Sequence, residues 1–146
     1  MLRLVEIDRY NYLPVLDLRV SPEQESLVAS NQYSLAQAYA QPECVPLALY
    51  AENRPVGFAM YALDEDDHQY WIYRLMIDQR HQRKGYGRAA MELLIDRIRG
   101  LSDEEHTCVF ISFEPENHIA RRLYESLGFL PDGRIMYGEV VYRLAL

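Results

Sequence analysis

The stretch YWIYRLMIDQRHQRKGYGRAAMELLIDRIR, Tyr70 to Arg99, limits what this chain can fold into more than any other. Tyr70 to Asp78 is apolar on both faces apart from Arg74, the signature of a central strand covered on both sides. A basic turn follows, Gln82-Arg83-Lys84-Gly85-Tyr86-Gly87, and then Arg88. From about Gly85 to Arg99 the periodicity predicts a helix with Ala90, Met91, Leu94, Ile95 and Ile98 on one face and Arg88, Glu92, Asp96 and Arg99 on the other, ended by Gly100. A strand feeding a glycine turn at a helix N-terminus is a natural anion site, because unpaired N–H groups and the positive end of the helix dipole converge there. Residues 82 to 88 are therefore a candidate phosphate site. Gly85 and Gly87 would permit positive φ and close backbone approach. Arg80, Arg83, Lys84 and Arg88 gather positive charge in a chain whose net charge is −7. Neither G-x-x-x-x-G-K-[ST] nor G-x-G-x-x-G is present, and a G-x-G pair alone fits an ordinary helix start equally well.

The remaining segments alternate. Leu2 to Ile7 reads as a strand, Asn11 to Val20 as a helix stopped by Ser21-Pro22, and Ser34 to Ala40 as a second helix with Ser34 as N-cap. Val45 to Tyr50 and Val56 to Leu63 form a hairpin across Ala51-Glu52-Asn53-Arg54-Pro55. Asp64-Glu65-Asp66-Asp67 is either a solvated turn or a docking point for a polycation. Thr107 to Phe113 is another two-faced strand. Asn117 opens a helix with Ala120, Leu123, Tyr124 and Leu127 on one face, stopped by Gly128. A last hairpin joins Arg134–Tyr137 to Glu139–Leu144. The whole is a mixed α/β (α+β) domain with an antiparallel N-terminal part and a parallel centre.

At 146 residues the chain has the size of a single domain, 1–146, with room for a real core. No apolar run nears the ~20 residues that span a bilayer, and MLRLVEIDRY lacks a signal-peptide core, so no membrane partner is expected and the protein reads as soluble and cytoplasmic. Cys44 and Cys108, with His68, His81, His106 and His118, are too scattered for a metal site. The negative charge argues against a nucleic-acid surface; it favours cationic partners, and it is also ordinary solubility.

Gln-x-x-Gly-x-Gly between a strand and an amphipathic helix, followed by NHIARRLYESLGF, resembles the two signatures of the GNAT N-acetyltransferase superfamily. PVGFAMYAL with WIYRLMIDQRHQRKGYG looks most like its bacterial spermine/spermidine (diamine) acetyltransferases. The resemblance is strong from Val56 to Phe129 and loose before Leu47. It implies a mixed sheet of about seven strands flanked by about four helices, with acetyl-CoA in a splay between the fourth and fifth strands. Leu75, Met76 and Ile77 would offer main-chain bonds to the pantetheine arm. Gln82, Arg83, Lys84, Gly85, Tyr86, Gly87 and Arg88 would hold the diphosphate, and Asn117 and Ala120 would lie beside the arm. From the residues alone, Asn117 is an N-cap and Tyr124 half-buried packing. The helices before Leu47 would overhang the acceptor, a small amine for which a polyamine is the leading choice; a peptide amine, an aminoglycoside or a non-catalytic CoA sensor are the alternatives. A homodimer is the family's expectation.

Acetyl transfer to an amine near pKa ~10 needs a proton acceptor, an oxyanion stabiliser and a donor for the departing sulfur. Backbone N–H near Met76 or Ile77 suits the second task, and the Tyr124 hydroxyl suits the third. Some family members place a glutamate on the fourth or fifth strand, but the matching positions here are Tyr73 and Ser112. Glu114 or a water relay remain as ways to remove the amine proton.

Overall fold

A computed structural model describes all 146 residues. Seven strands form one sheet in the order β1-β2-β3-β4-β5-β7-β6: β1 (Leu2–Glu6), β2 (Cys44–Ala51), β3 (Arg54–Leu63), β4 (Tyr70–Ile77), β5 (Cys108–Phe113), β6 (Leu130–Met136) and β7 (Glu139–Ala145). Every neighbouring pair is antiparallel except β4 and β5. The expected antiparallel N-terminal part and parallel centre are both present. Helices α1 (Tyr12–Leu16) and α2 (Asn31–Ala40) cover one face, and α3 (Tyr86–Leu101) and α4 (His118–Ser126) cover the other. No helix is long and apolar enough to cross a membrane.

The larger core lies under α3 and α4. The five apolar α3 residues expected to face inward, Ala90, Met91, Leu94, Ile95 and Ile98, are all buried there with Val109, Ile111, Phe113 and Phe129. Apart from Ala90, each of these side chains contributes about 1.5–3 kcal/mol on leaving water. The smaller core under α1 and α2 holds Val15, Leu18, Phe58, Met60 and Met76. β4 separates the two, which is why it is apolar on both faces.

Several boundaries differ from the sequence reading. The first helix is a single turn rather than Asn11 to Val20: the Asn31 and Gln32 side chains donate to the Val15 and Leu16 carbonyls, and Arg19 bonds through its N–H to Asp78 Oδ1 and through its carbonyl to the Gln79 N–H, so the chain after Leu16 leaves the helix. The second helix starts at Asn31, and Ser30, not Ser34, caps it by accepting from the Tyr33 N–H at 3.1 Å. Ser34 is buried inside the helix and its hydroxyl has no partner. Gly100 does not end α3; it stays helical, and Ser102 is the C-cap. β6 begins at Leu130, four residues before the expected Arg134. An irregularity between Pro131 and Ile135, centred on Gly133 with φ +95°, hides that start from a simple alternation pattern. Tyr137 and Gly138, both at positive φ, make the tight turn into β7.

Immediately after β4 comes Asp78, a buried carboxylate that binds three donors. Oδ1 accepts from the Arg19 N–H at 2.9 Å, and Oδ2 accepts from the Arg80 N–H at 3.1 Å and Arg80 Nε at 2.8 Å. Burial pushes the carboxyl's pKa up, but these hydrogen bonds outweigh it and hold the group below its ordinary value. Asp78→Ala should lower stability by about 2–3 kcal/mol through stranded buried N–H groups. A folded-state pKa below the unfolded one means the ionised group stabilises fully above pH ~4 and loses that contribution as pH falls toward the folded value. Urea unfolding of wild type and Asp78→Asn should therefore differ most near neutrality and draw together progressively as pH falls below about 4.

Candidate active site

The site begins where two strands part. β4 and β5 pair only at Tyr70–Val109, Trp71–Phe110 and Ile72–Ile111. At the same level β4 carries a bulge: Met60 pairs with Arg74 while Tyr61 pairs with Ile72, leaving Tyr73 as the extra residue. A bulge bends its strand, and here it bends β4 where pairing to β5 stops. Leu75, Met76 and Ile77 thus keep β3 on one side and have no strand on the other. The gap opens into a cleft of about 1340 Å³.

Gly57 on β3 shapes this edge. A Cβ built on it would lie 2.5 Å from the Met76 carbonyl oxygen and 3.0 Å from Ile77 Cδ1, so the close seating of β4 against β3 requires glycine. In the sequence PVGFAMYAL reads as a hairpin strand and as a family likeness, with Gly57 not singled out. A glycine inside a strand was the signal of close backbone approach that could have singled Gly57 out.

At the far end of the cleft the turn after β4 leads to the α3 N-terminus. Gly85, φ +80°, is the N-cap, and no side chain caps the helix. The orphan N–H groups of the first turn remain without a side-chain acceptor. The second positive-φ position is Arg83, φ +64°, and not Gly87, which is already helical; Gly87 would meet only Leu123 Cδ2 at 3.7 Å through a Cβ. Gln82 anchors the turn: Nε2 donates to the Ile77 carbonyl at 3.0 Å and to Gln24 Oε1 at 2.9 Å. Gln82, Arg83, Gly85, Tyr86 and Gly87 line the cleft; Lys84 and Arg88 do not. Arg88 is paired with Glu92 and donates to Ser126 Oγ, and Arg80 belongs to Asp78, so the positive charge around the turn is thinner than the residue list implied.

α4 supplies the opposite wall through Asn117, Ala120 and Tyr124. Asn117 is an N-cap, its Oδ1 accepting from the Ala120 N–H at 3.2 Å; its Nδ2 makes no hydrogen bond within the protein. Tyr124 is buried rather than half-buried, with its ring 5.4 Å from that of Phe113. Its hydroxyl bonds to no protein group. Burial, with the Glu139 charge second, pushes its pKa up to about 12, so it stays a proton donor throughout the working range of pH.

The other face of the sheet lines the rest of the cleft. Arg74 lies there with its Nε unpartnered, Nη1 on the Tyr73 carbonyl, Nη2 on Gln37 Oε1 at 2.8 Å, and its guanidinium 5.8 Å from the Tyr33 ring centre. No carboxylate pairs with it. In the acidic turn, Asp64 accepts from the Tyr73 hydroxyl and from the Asp66 and Asp67 N–H groups, and Asp67 accepts from Trp71 Nε1 at 2.8 Å. Two of its carboxylates thus hold their own hairpin. Glu139, which the sequence reading did not single out, reaches the cleft from β7 and accepts from Ser112 Oγ at 2.7 Å.

An open strand edge running to a bare helix N-terminus suits an extended ligand with an anionic head, drawn into the sheet between two strands. The chain belongs to the acetyltransferase (GNAT) family, whose sequence model matches residues 12–129. It is 36% identical over 140 residues to a spermine/spermidine N(1)-acetyltransferase of Bacillus subtilis (strain 168), covering 90% of each chain. Among solved structures it resembles the ribosomal-protein-S18-alanine N-acetyltransferase of Escherichia coli, with TM-score 0.72, 18% identity and coverage of 99% and 94% of the two chains. It also resembles the PaiA N-acetyltransferase of Thermoplasma acidophilum, solved in complex with coenzyme A, with TM-score 0.71, 10% identity and coverage of 100% and 99%. The seven-stranded sheet and four flanking helices are the fold that the sequence resemblance implied.

Proposed function

We propose that this acetyltransferase uses acetyl-CoA to acetylate a primary amine of a small polyamine such as spermine or spermidine, its 146 residues acting as one catalytic domain. The observation that carries the reading is the unpaired edge of β4 leading from the bare α3 N-terminus to the free hydroxyl of Tyr124. The residues present fit the cosubstrate: a backbone cradle at Arg83, Gly85, Tyr86 and Gly87 suits a diphosphate, and the Leu75–Ile77 edge suits an amide-bearing arm. Lys84 and Arg88 add charge at the rim of the cradle. Asn117 Nδ2 and Ala120 face the arm from α4. Acetyl-CoA, when bound, supplies the acetyl group as a reactive thioester. Of the two N–H groups proposed from the sequence, Met76's is directed at β3, in the same phase as the Asp78 N–H that bonds to the Val56 carbonyl, while Ile77's faces the open side; the Ile77 N–H would stabilise negative charge on the acyl oxygen, and Tyr124 would donate to the departing sulfur.

The polyamine is supported by the Bacillus subtilis relative's activity and by Asp64, Asp66, Asp67 and Glu139 in the cleft wall. Arg74 favours a second reading, an amine carried on a peptide, because a half-buried guanidinium with no carboxylate partner and a free Nε suits carbonyl or carboxylate groups better than a polycation. Thiol release from acetyl-CoA across spermine, spermidine, putrescine, lysine peptides and aminoglycosides separates them. Saturable turnover with the polyamines is the expected result. Turnover confined to peptides would retain the chemistry and transfer the acceptor role to the Arg74 reading. No thiol release with any amine would remove the catalytic proposal and leave a CoA-binding module.

A further inference from the structure

We infer that Glu139, at the start of β7, is the carboxylate that takes the proton from the acceptor's ammonium group, held for this by Ser112. The inference rests on the acetyl-transfer reading of the cleft. An aliphatic amine of pKa ~10 arrives protonated at neutral pH and cannot attack until it loses a proton. Tyr73 and Ser112 stand at the strand positions where a carboxylate could serve, and neither is one. Asp64 and Asp67 hold their own turn through Tyr73 and Trp71. Glu114 is outside the cleft wall, whereas Glu139 is part of it.

The register explains how a residue of the last hairpin reaches the centre. β7 pairs with β5 through Ser112–Val141 and Phe113–Val140, so Glu139 lies just past the end of β5. Successive β5 side chains alternate between faces. Phe113 packs under Tyr124, and Ser112 points the other way and donates to Glu139 Oε1 at 2.7 Å. The Ser112 bond fixes one carboxylate oxygen, and Oε2 makes no hydrogen bond within the protein. Tyr124 and Glu139 therefore meet the gap between β4 and β5 from opposite faces of the sheet, as a donor to sulfur and an acceptor from nitrogen should. The effect of the Glu139 charge on the Tyr124 phenol agrees with that proximity. The other ionisable groups around Glu139 are Arg74 from β4 and Glu114, with Glu116 beside it, from the loop after β5.

The protons balance. The ammonium carries three; one passes to Glu139 and then to solvent. The neutral nitrogen forms the C–N bond as the C–S bond breaks. Tyr124 donates to the sulfur and is reprotonated by the second nitrogen proton, and the third stays on the amide.

Glu139→Gln keeps the shape and the Ser112 bond but removes the basic site. With the best acceptor amine found for wild type, it should lower kcat/KM by about 10²-fold, with acetyl-CoA affinity and thermal midpoint close to wild type. The defect should shrink at least tenfold with a fluorinated amine whose pKa lies below the assay pH, and with an ordinary amine the variant's kcat/KM should climb with pH as the free-amine fraction does, up to the amine's own pKa of ~10. Should this variant fail to bind acetyl-CoA, Ser112→Ala gives the same pattern with a smaller loss, about tenfold. Activity within threefold of wild type, or a loss that is equal for high- and low-pKa amines with an unchanged pH profile, overturns the assignment. Wild-type inactivity with every amine instead overturns the acetyl-transfer reading, so the two failures are distinct.

Discussion

Tyr124→Phe is expected to bind acetyl-CoA as wild type does and to lose about 10³-fold in kcat, within the range for removing a general acid. The hydroxyl makes no hydrogen bond inside the protein, so its loss strands no partner and should change stability by less than about 1 kcal/mol. The ring remains, with its packing on Phe113 and Phe129. What disappears is a donor in the cleft. Its pKa, pushed up to about 12 chiefly by burial, lies above the ~8.5 of an ordinary thiol. Such a phenol does not ionise in advance; it donates to sulfur as negative charge develops. The pH–rate profile should accordingly show no Tyr124 limb below about pH 11. Steady-state kinetics with calorimetric titration of acetyl-CoA are the check, and a kcat within twofold of wild type would remove Tyr124 from the chemistry.

Gly57→Ala should produce the largest loss of any small substitution, because a single methyl group is directed at the backbone that forms the site. The added Cβ would approach the Met76 carbonyl oxygen to 2.5 Å and Leu49 Cδ1 to 2.9 Å. Leu49 can shift its side chain; the Met76 carbonyl is main chain held between two cores. Overpacking of this kind costs about 1–3 kcal/mol, and the rigid partner places the expected value near the upper end. Relaxation must move β4 toward the opening it presents to β5, which narrows the cleft. The expected result is a lower urea midpoint together with at least tenfold weaker acetyl-CoA binding, measured separately. Reduced stability with unchanged affinity would show that β4 relaxes away from the cleft.

Much of the fold was legible because periodicity reports burial directly. The two-faced apolar pattern of Tyr70–Asp78 marks a strand between two cores, and the apolar face of α3 emerged residue by residue. Failures came where side chains competed with the pattern. Asn31, Gln32 and Asp78 draw the chain out of α1 after Leu16, Ser30 rather than Ser34 caps α2, and Gly100 remains helical, with Ser102 ending the helix two residues later. The glycine turn was legible as an anion site, but the assignment of positive φ was half right: Gly85 has it, and Arg83 rather than Gly87 shares it.

The amino-acid sequence alone determines the alternation of strands and helices, the glycine turn that opens α3, and the tyrosine on the buried face of α4, since each depends on residues within a few turns of one another. Only the tertiary structure decided where β4 and β5 separate, that Gly57 lets β4 seat against β3, that Arg80 and Arg88 are already paired, and that Glu139 from the last hairpin reaches the site begun by β4. These depend on bulges, register and charge pairing between segments far apart in the chain, and a one-dimensional pattern carries no term for the distance between such segments.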